Sequence, residues 1–323
     1  SIFDKRSTGS AVDLVAVTNF VERKAAHLNT ANLVALFYSM GRSNISFSGS
    51  RLAVPLAQAL ASGVSTRPPI SAHTVASLCY SLRDLSSRHA EVRELVREVD
   101  RLLRGAPALE PLSGRAAGHA FFGLRGLSSA DCPEALGLLD TLAGLLEASP
   151  GPMEGLHTAS ALAGLKRMDS GHPAVRRALV ALAQQMDAGP GGAMQPKEVC
   201  MALQGLRSMS SRQAEVRALL ARLTPIVAAL PPGVLDSAGT GIALGGLRGL
   251  RSEHAEVRAL VQALTPRIAP CSASASEEGQ GQGQGQEGGF LTAASLSSSL
   301  HGLRGLRDDH SEVLALLGLL ARK

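Results

Sequence analysis

The stretch Leu203-Gln204-Gly205-Leu206-Arg207-Ser208-Met209 decides how the whole chain is read, because it recurs. Close copies stand at Tyr80-Ser81-Leu82-Arg83-Asp84-Leu85, Phe122-Gly123-Leu124-Arg125-Gly126-Leu127, Ala163-Gly164-Leu165-Lys166-Arg167-Met168, Gly245-Gly246-Leu247-Arg248-Gly249-Leu250 and His301-Gly302-Leu303-Arg304-Gly305-Leu306. From Leu82 through Leu124, Leu165 and Leu206 to Leu247 the central leucine returns at a nearly constant step, and only the step to Leu303 is longer. A weaker copy, Tyr38-Ser39-Met40, lies one regular step before the first. A fixed period of about 41 residues predicts an array in which each unit contacts mainly its neighbours. A chain of 323 residues then forms one elongated body rather than two globules.

Each unit reads as two helices. Around the core, leucine-like residues recur every three positions, as in Phe121/Leu124/Leu127 and Leu203/Leu206/Met209. A short polar step follows, such as Ser86-Ser87 or Ser210-Ser211, and then Ala-Glu-Val-Arg or a variant of it. In that second segment Val216, Leu219, Leu220 and Leu223 keep the i, i+3, i+4, i+7 spacing of a buried helical face. Ser or Asp just before it is suited to capping its free N–H groups. The recurrent Glu falls in its first turn, where negative charge is favourable. The predicted class is therefore all-α, an α-solenoid of about seven helical hairpins.

Helix breakers separate the hairpins, among them Arg67-Pro68-Pro69, Pro150-Gly151-Pro152 and Pro231-Pro232-Gly233. The one long step, from Leu247 to Leu303, contains a Gly/Gln-rich run whose removal from the count restores the period. Too little of that run is apolar to bury, so it reads as a flexible surface insertion. The expected layout is an N-terminal capping segment over residues 1–28, six hairpins over 29–270, the insertion over 271–289 and a terminal hairpin over 290–323.

The residue before the central leucine is Gly in five units: Gly123, Gly164, Gly205, Gly246 and Gly302. Glycine inside a helix costs about 1 kcal/mol relative to alanine. Its repetition predicts that a neighbouring helix passes too closely there for any side chain.

Other patterns carry less. The apolar content is 45%, but charges or Gly/Pro breaks interrupt every run before it reaches membrane-spanning length, so no membrane insertion is expected. Cys79, Cys132, Cys200 and Cys271 lack paired spacing, which argues against a disulfide framework or a zinc site. His89, His172, His254 and His310 share one column, yet successive members are at least one repeat apart, too far for a common metal ion. Gly239-Thr240-Gly241-Ile242-Ala243-Leu244-Gly245 has the wrong glycine spacing for a dinucleotide loop, and no strand precedes it. No nucleophile–base set or carboxylate pair recurs. Neither catalysis nor a cofactor is expected. The chain opens at Ser1, and its opening segment, which includes Asp4 and Glu22, does not read as a targeting segment.

Charge is the sharper signal. The net charge is +5, and of 32 basic residues only Lys5, Lys24, Lys166, Lys197 and Lys323 are lysines. Arginine's planar fork suits phosphate, although GC-rich codon usage raises arginine as well. Directly after the central leucine stand Arg83, Arg125, Lys166, Arg207, Arg248 and Arg304. Stacked helices lie roughly 8–10 Å apart, so these side chains should form a ladder suited to a phosphate backbone. The same position lies in the last turn of a helix, where a cation satisfies terminal carbonyls and the dipole. Pairing with the recurrent Glu91, Glu215, Glu256 and Glu312 is a further structural role open to it. Aromatic residues are only 3% of the chain, which disfavours base-stacking platforms and leaves backbone, shape or protein contacts.

The segment Asn32-Leu33-Val34-Ala35-Leu36-Phe37-Tyr38-Ser39-Met40 and the later Ala-Leu-x-Gly-Leu cores resemble the first helix of units in organellar helical-hairpin repeat proteins. These are the octotricopeptide and heptatricopeptide families and the repeats associated with RAP domains. The resemblance covers about residues 29–323, with a longer period than those families show and no RAP-like domain. It implies RNA binding, ribosomal RNA included, within an organellar ribonucleoprotein such as a mitochondrial ribosome, among other proteins of a large assembly. Mitochondrion is favoured over plastid. HEAT-like scaffolds share the period and imply protein binding instead. An accessory subunit of a membrane complex is a third reading, for which no residue speaks.

Overall fold

A computed structural model describes Arg23 and residues 70–106, 108–186, 192–269 and 291–321. The expected first hairpin and the Gly/Gln insertion lie outside the described residues, as does the capping segment apart from Arg23. The described residues hold twelve α-helices and no strand. They are α1 (Ala72–Ser81), α2 (Ala90–Arg104), α3 (Gly114–Phe122), α4 (Glu134–Glu147), α5 (Gly155–Gly164), α6 (Pro173–Gln185), α7 (Pro196–Gly205), α8 (Ala214–Ala228), α9 (Ser237–Gly245), α10 (Ala255–Leu264), α11 (Ala293–Leu303) and α12 (Ser311–Leu320). Odd-numbered helices contact the next odd-numbered helix and even-numbered ones the next even-numbered one. The helices thus form two layers built by neighbour contacts, as in a helical solenoid.

The predicted apolar columns fill the space between the layers. Leu82, Leu124, Leu165, Leu206 and Leu247 are fully buried, as are Val216, Leu219 and Leu220. Leu300 shows what neighbour packing does. It is 52% exposed on α11, whereas its counterparts three positions before each earlier central leucine, Cys79, Phe121, Leu162, Leu203 and Leu244, are fully buried.

The glycine column sits where backbones touch. A β-carbon on Gly123 would stand 1.9 Å from the Cys79 carbonyl oxygen of the preceding hairpin. The equivalent distances are 1.9 Å from Gly164 to Phe121, 2.1 Å from Gly205 to Leu162, 2.0 Å from Gly246 to Leu203 and 2.0 Å from Gly302 to Leu244. A second column, two positions after the central leucine, behaves likewise where it is glycine: Gly126, Gly249 and Gly305 face the Leu85, Met209 and Leu250 carbonyls at 1.9–2.3 Å. Each hairpin is therefore set against the last by backbone contact.

Capping differs from the sequence expectation. Ser71, Ser113, Asp236 and Thr292 cap the first helices of their hairpins. The second helices, by contrast, have His89, His172, Gln213, His254 and His310 at the N-cap with no side-chain cap bond. The serines of the polar step are used elsewhere. Ser87, Ser129, Ser170, Ser211 and Ser252, each five positions after a central leucine, accept a hydrogen bond from a backbone N–H of the next hairpin. The donors are Ser128, Asp169, Ser210, Arg251 and Arg307, at 2.8–3.1 Å. A hydroxyl buried between two turns bonds the nearest unsatisfied amide, and here that amide belongs to the neighbour.

Hairpin ends are also tied together. Leu235 donates to Arg267 at 2.8 Å and accepts from Ala269 at 3.0 Å, and Met153 donates to Gln185 at 2.6 Å. At the breaker before α9, Gly233 takes φ 67°, a conformation that favours glycine.

Candidate functional site

Four arginines of the second helices are committed to the fold. Arg93, Arg176, Arg217 and Arg258 each donate from Nη1 to two carbonyls of the turn before their own helix, as Arg217 does to Ser211 at 2.9 Å and Arg212 at 3.1 Å. Three of them also reach forward to the next hairpin: Arg176 to Glu215 at 3.5 Å, Arg217 to Glu256 at 3.7 Å and Arg258 to Glu312 at 4.0 Å. The pairing with the basic ladder that the sequence left open to these glutamates is thus taken by second-helix arginines instead. The carboxylates point along the second-helix layer, and each meets an arginine of the preceding second helix. Farther along that layer Arg177 binds Asp140 and Glu147 at 2.9 and 2.6 Å, which raises its already high pKa.

The ladder itself divides into two halves. Arg83 lies 4.4 Å over the Tyr80 ring, approaches Asp84 at 3.3 Å and donates to the Tyr80 carbonyl at 3.3 Å. Arg125 lies 4.7 Å over Phe122, meets the same Asp84 at 2.5 Å and donates to the Arg83 carbonyl at 3.2 Å. These two are held by rings, carbonyls and one shared carboxylate, and of the pair only Arg83 reaches a carbonyl at the end of its own helix. Lys166 comes next, with its ammonium pKa lowered by burial and then by Arg125, Arg167 and Arg207.

Arg207, Arg248 and Arg304 are different. None makes an ion pair or side-chain hydrogen bond among the described residues. They stand close enough together to lower the pKa of His301, where desolvation acts first and Arg248, Arg304 and Arg207 add to it. All three line a surface groove of about 830 Å³ that runs across the turns of α7–α8, α9–α10 and α11–α12. Arg212, Arg251 and Arg307 line it too, and Glu253 is its one carboxylate among the described residues. The sequence reading missed this second row because its members do not fall in one column: Arg251 and Arg307 lie four positions after the central leucine, and Arg212 lies six. The backbone places of two of them are fixed by the serine bonds, since Ser211 and Ser252 hold the Arg251 and Arg307 amides.

Six arginines against one carboxylate give this groove a strongly positive balance of charge. Among the described residues no group of His, Cys, Asp and Glu is placed to hold a metal ion. Cys79, Cys132 and Cys200 are buried as free thiols, and burial pushes the Cys79 thiol up to about 12. No described helix is long and apolar enough to cross a membrane. No protein family, curated protein or solved structure matches the chain.

Proposed function

We propose that this protein is a non-catalytic α-solenoid of about seven hairpins at the regular period read from its leucines, and that it binds RNA through the sugar–phosphate backbone. The observation carrying the reading is the row Arg207, Arg248 and Arg304, which is unpaired among the described residues and gathered in one groove, whereas Arg83 and Arg125 of the same column share the Asp84 carboxylate. Leaving guanidinium groups together without counter-ions raises their mutual repulsion, and a phosphate chain relieves it by supplying negative charge at each rung. The resemblance to organellar repeat proteins extends the proposal to a structural part in an organellar ribonucleoprotein, with ribosomal RNA as the first candidate.

A second reading, a HEAT-like scaffold for another protein, draws on Leu296, Leu300 and Leu314. These apolar side chains are exposed on the last described hairpin.

The test is the triple variant R207Q/R248Q/R304Q, compared with the unaltered protein for affinity to a folded RNA at several salt concentrations. Exposed charges contribute little to stability, so the melting temperature should hold. The slope of log affinity against log salt should flatten by roughly 2–3, the worth of three phosphate contacts. An unaltered slope, or an unaltered protein with no measurable RNA affinity, overturns the proposal.

A further inference from the structure

The second row of arginines says more about the ligand, on the footing that the RNA-binding reading holds. Arg212, Arg251 and Arg307 line the same groove as Arg207, Arg248 and Arg304, two from each of three successive turns. None of the second row has an ion pair or side-chain hydrogen bond among the described residues either. Three turns spaced like stacked helices extend over roughly 16–20 Å. The apolar residues of the lining, Met209 and Leu250, are 1% and 0% exposed, so they close the floor and offer little to a base.

No aromatic side chain lines the groove among the described residues. Tyr80 and Phe122 stand in α1 and α3, two hairpins or more from the groove, and arginines lie over both rings. A single strand held here would be ordered at an entropic cost with no stacking to offset it. A duplex is ordered beforehand, keeps its bases stacked inside and presents phosphates from both strands at high linear charge density. We infer that the groove is a clamp for base-paired RNA, in which Arg212, Arg251 and Arg307 contact phosphates as a second row beside Arg207, Arg248 and Arg304.

The test uses the whole chain, with a short mixed-sequence RNA duplex and one of its strands alone as probes. Affinity is measured over a range of salt for the unaltered protein, R207Q/R248Q/R304Q and R212Q/R251Q/R307Q, with thermal melting of each as the folding control. The unaltered protein should hold the duplex at least about tenfold more tightly than the strand, and each variant should flatten the duplex salt slope by roughly 2–3. If only the first row matters, the two-row clamp is overturned while RNA binding stands. Equal affinity for strand and duplex overturns the base-paired ligand. An unaltered slope in both variants removes both this inference and the function on which it rests.

Discussion

The hydroxyl of Ser211 accepts a 3.0 Å hydrogen bond from the backbone N–H of Arg251, in the next hairpin. Ser211 is fully buried, and Arg251 carries one of the guanidinium groups of the basic groove. One bond thus joins the packing of the array to the placement of its charge. Replacing Ser211 with Ala leaves that amide without its partner and should cost about 1–3 kcal/mol. Chemical denaturation of S211A would show this as a lowered midpoint, and an unmoved midpoint would mean that water replaces the hydroxyl.

The glycine contacts give opposite expectations at two positions. Gly205→Ala puts a methyl 2.1 Å from the Leu162 carbonyl oxygen, too close for either backbone to keep its place. The cost should be about 1–3 kcal/mol, outweighing the gain in helix propensity. Gly318 in α12 has nothing within 4 Å of the same atom. Gly318→Ala should therefore stabilise by up to about 1 kcal/mol. Melting temperatures that move in the same direction for both variants would contradict the close crossing.

Arginines of the second-helix layer should behave unlike those of the groove. Arg217 holds two turn carbonyls and approaches Glu256, whereas Arg207 holds nothing among the described residues. Arg217→Gln should lower stability by about 1 kcal/mol, within the usual worth of charge-assisted bonds at a partly exposed site. Arg207→Gln should leave stability alone and weaken RNA binding. The two variants compared by melting and by affinity give a crossed pattern, and a shared effect would merge the two roles.

Acidification acts on both stability and binding. His119 is held below the usual imidazole value of 6.5 by desolvation, then by Arg115, His157 and His73, and His301 by desolvation and the groove arginines. A depressed folded pKa means that the unfolded chain takes up protons first. The stability these residues support is complete above 6.5 and is lost as pH falls through the lower folded values. A bound polyanion masks Arg248, Arg304 and Arg207, which raises the His301 pKa, so RNA affinity should strengthen below neutrality. Denaturation and binding profiles from neutral to mildly acid pH check both signs. His301→Gln should flatten the binding profile while the acid loss of stability tied to His119 remains.

Much of this was legible because repetition multiplies weak signals. One Gly-Leu pair says little, but Gly123, Gly164, Gly205, Gly246 and Gly302 in register mark the close crossing from sequence alone. The serines at 87, 129, 170, 211 and 252 are equally in register, yet a Ser before a helix has a local capping role that conceals a longer-range one. The glutamate partners escape for a related reason. Spacing along a chain shows that charges recur, but which layer they point along is set by helix rotation, and that places Glu256 beside Arg217. The basic column is visible as one ladder. Its division is not, because only the fold brings Asp84 to both Arg83 and Arg125.

The joints described above are made only between adjacent hairpins, from glycine against carbonyl and serine against amide. Such a body has no central keystone. Pulled from its two ends, it should part joint by joint, as a zip opens, with successive force steps of similar size. A molecule that yields in this graded way can keep the joints at one end closed while its far end comes loose.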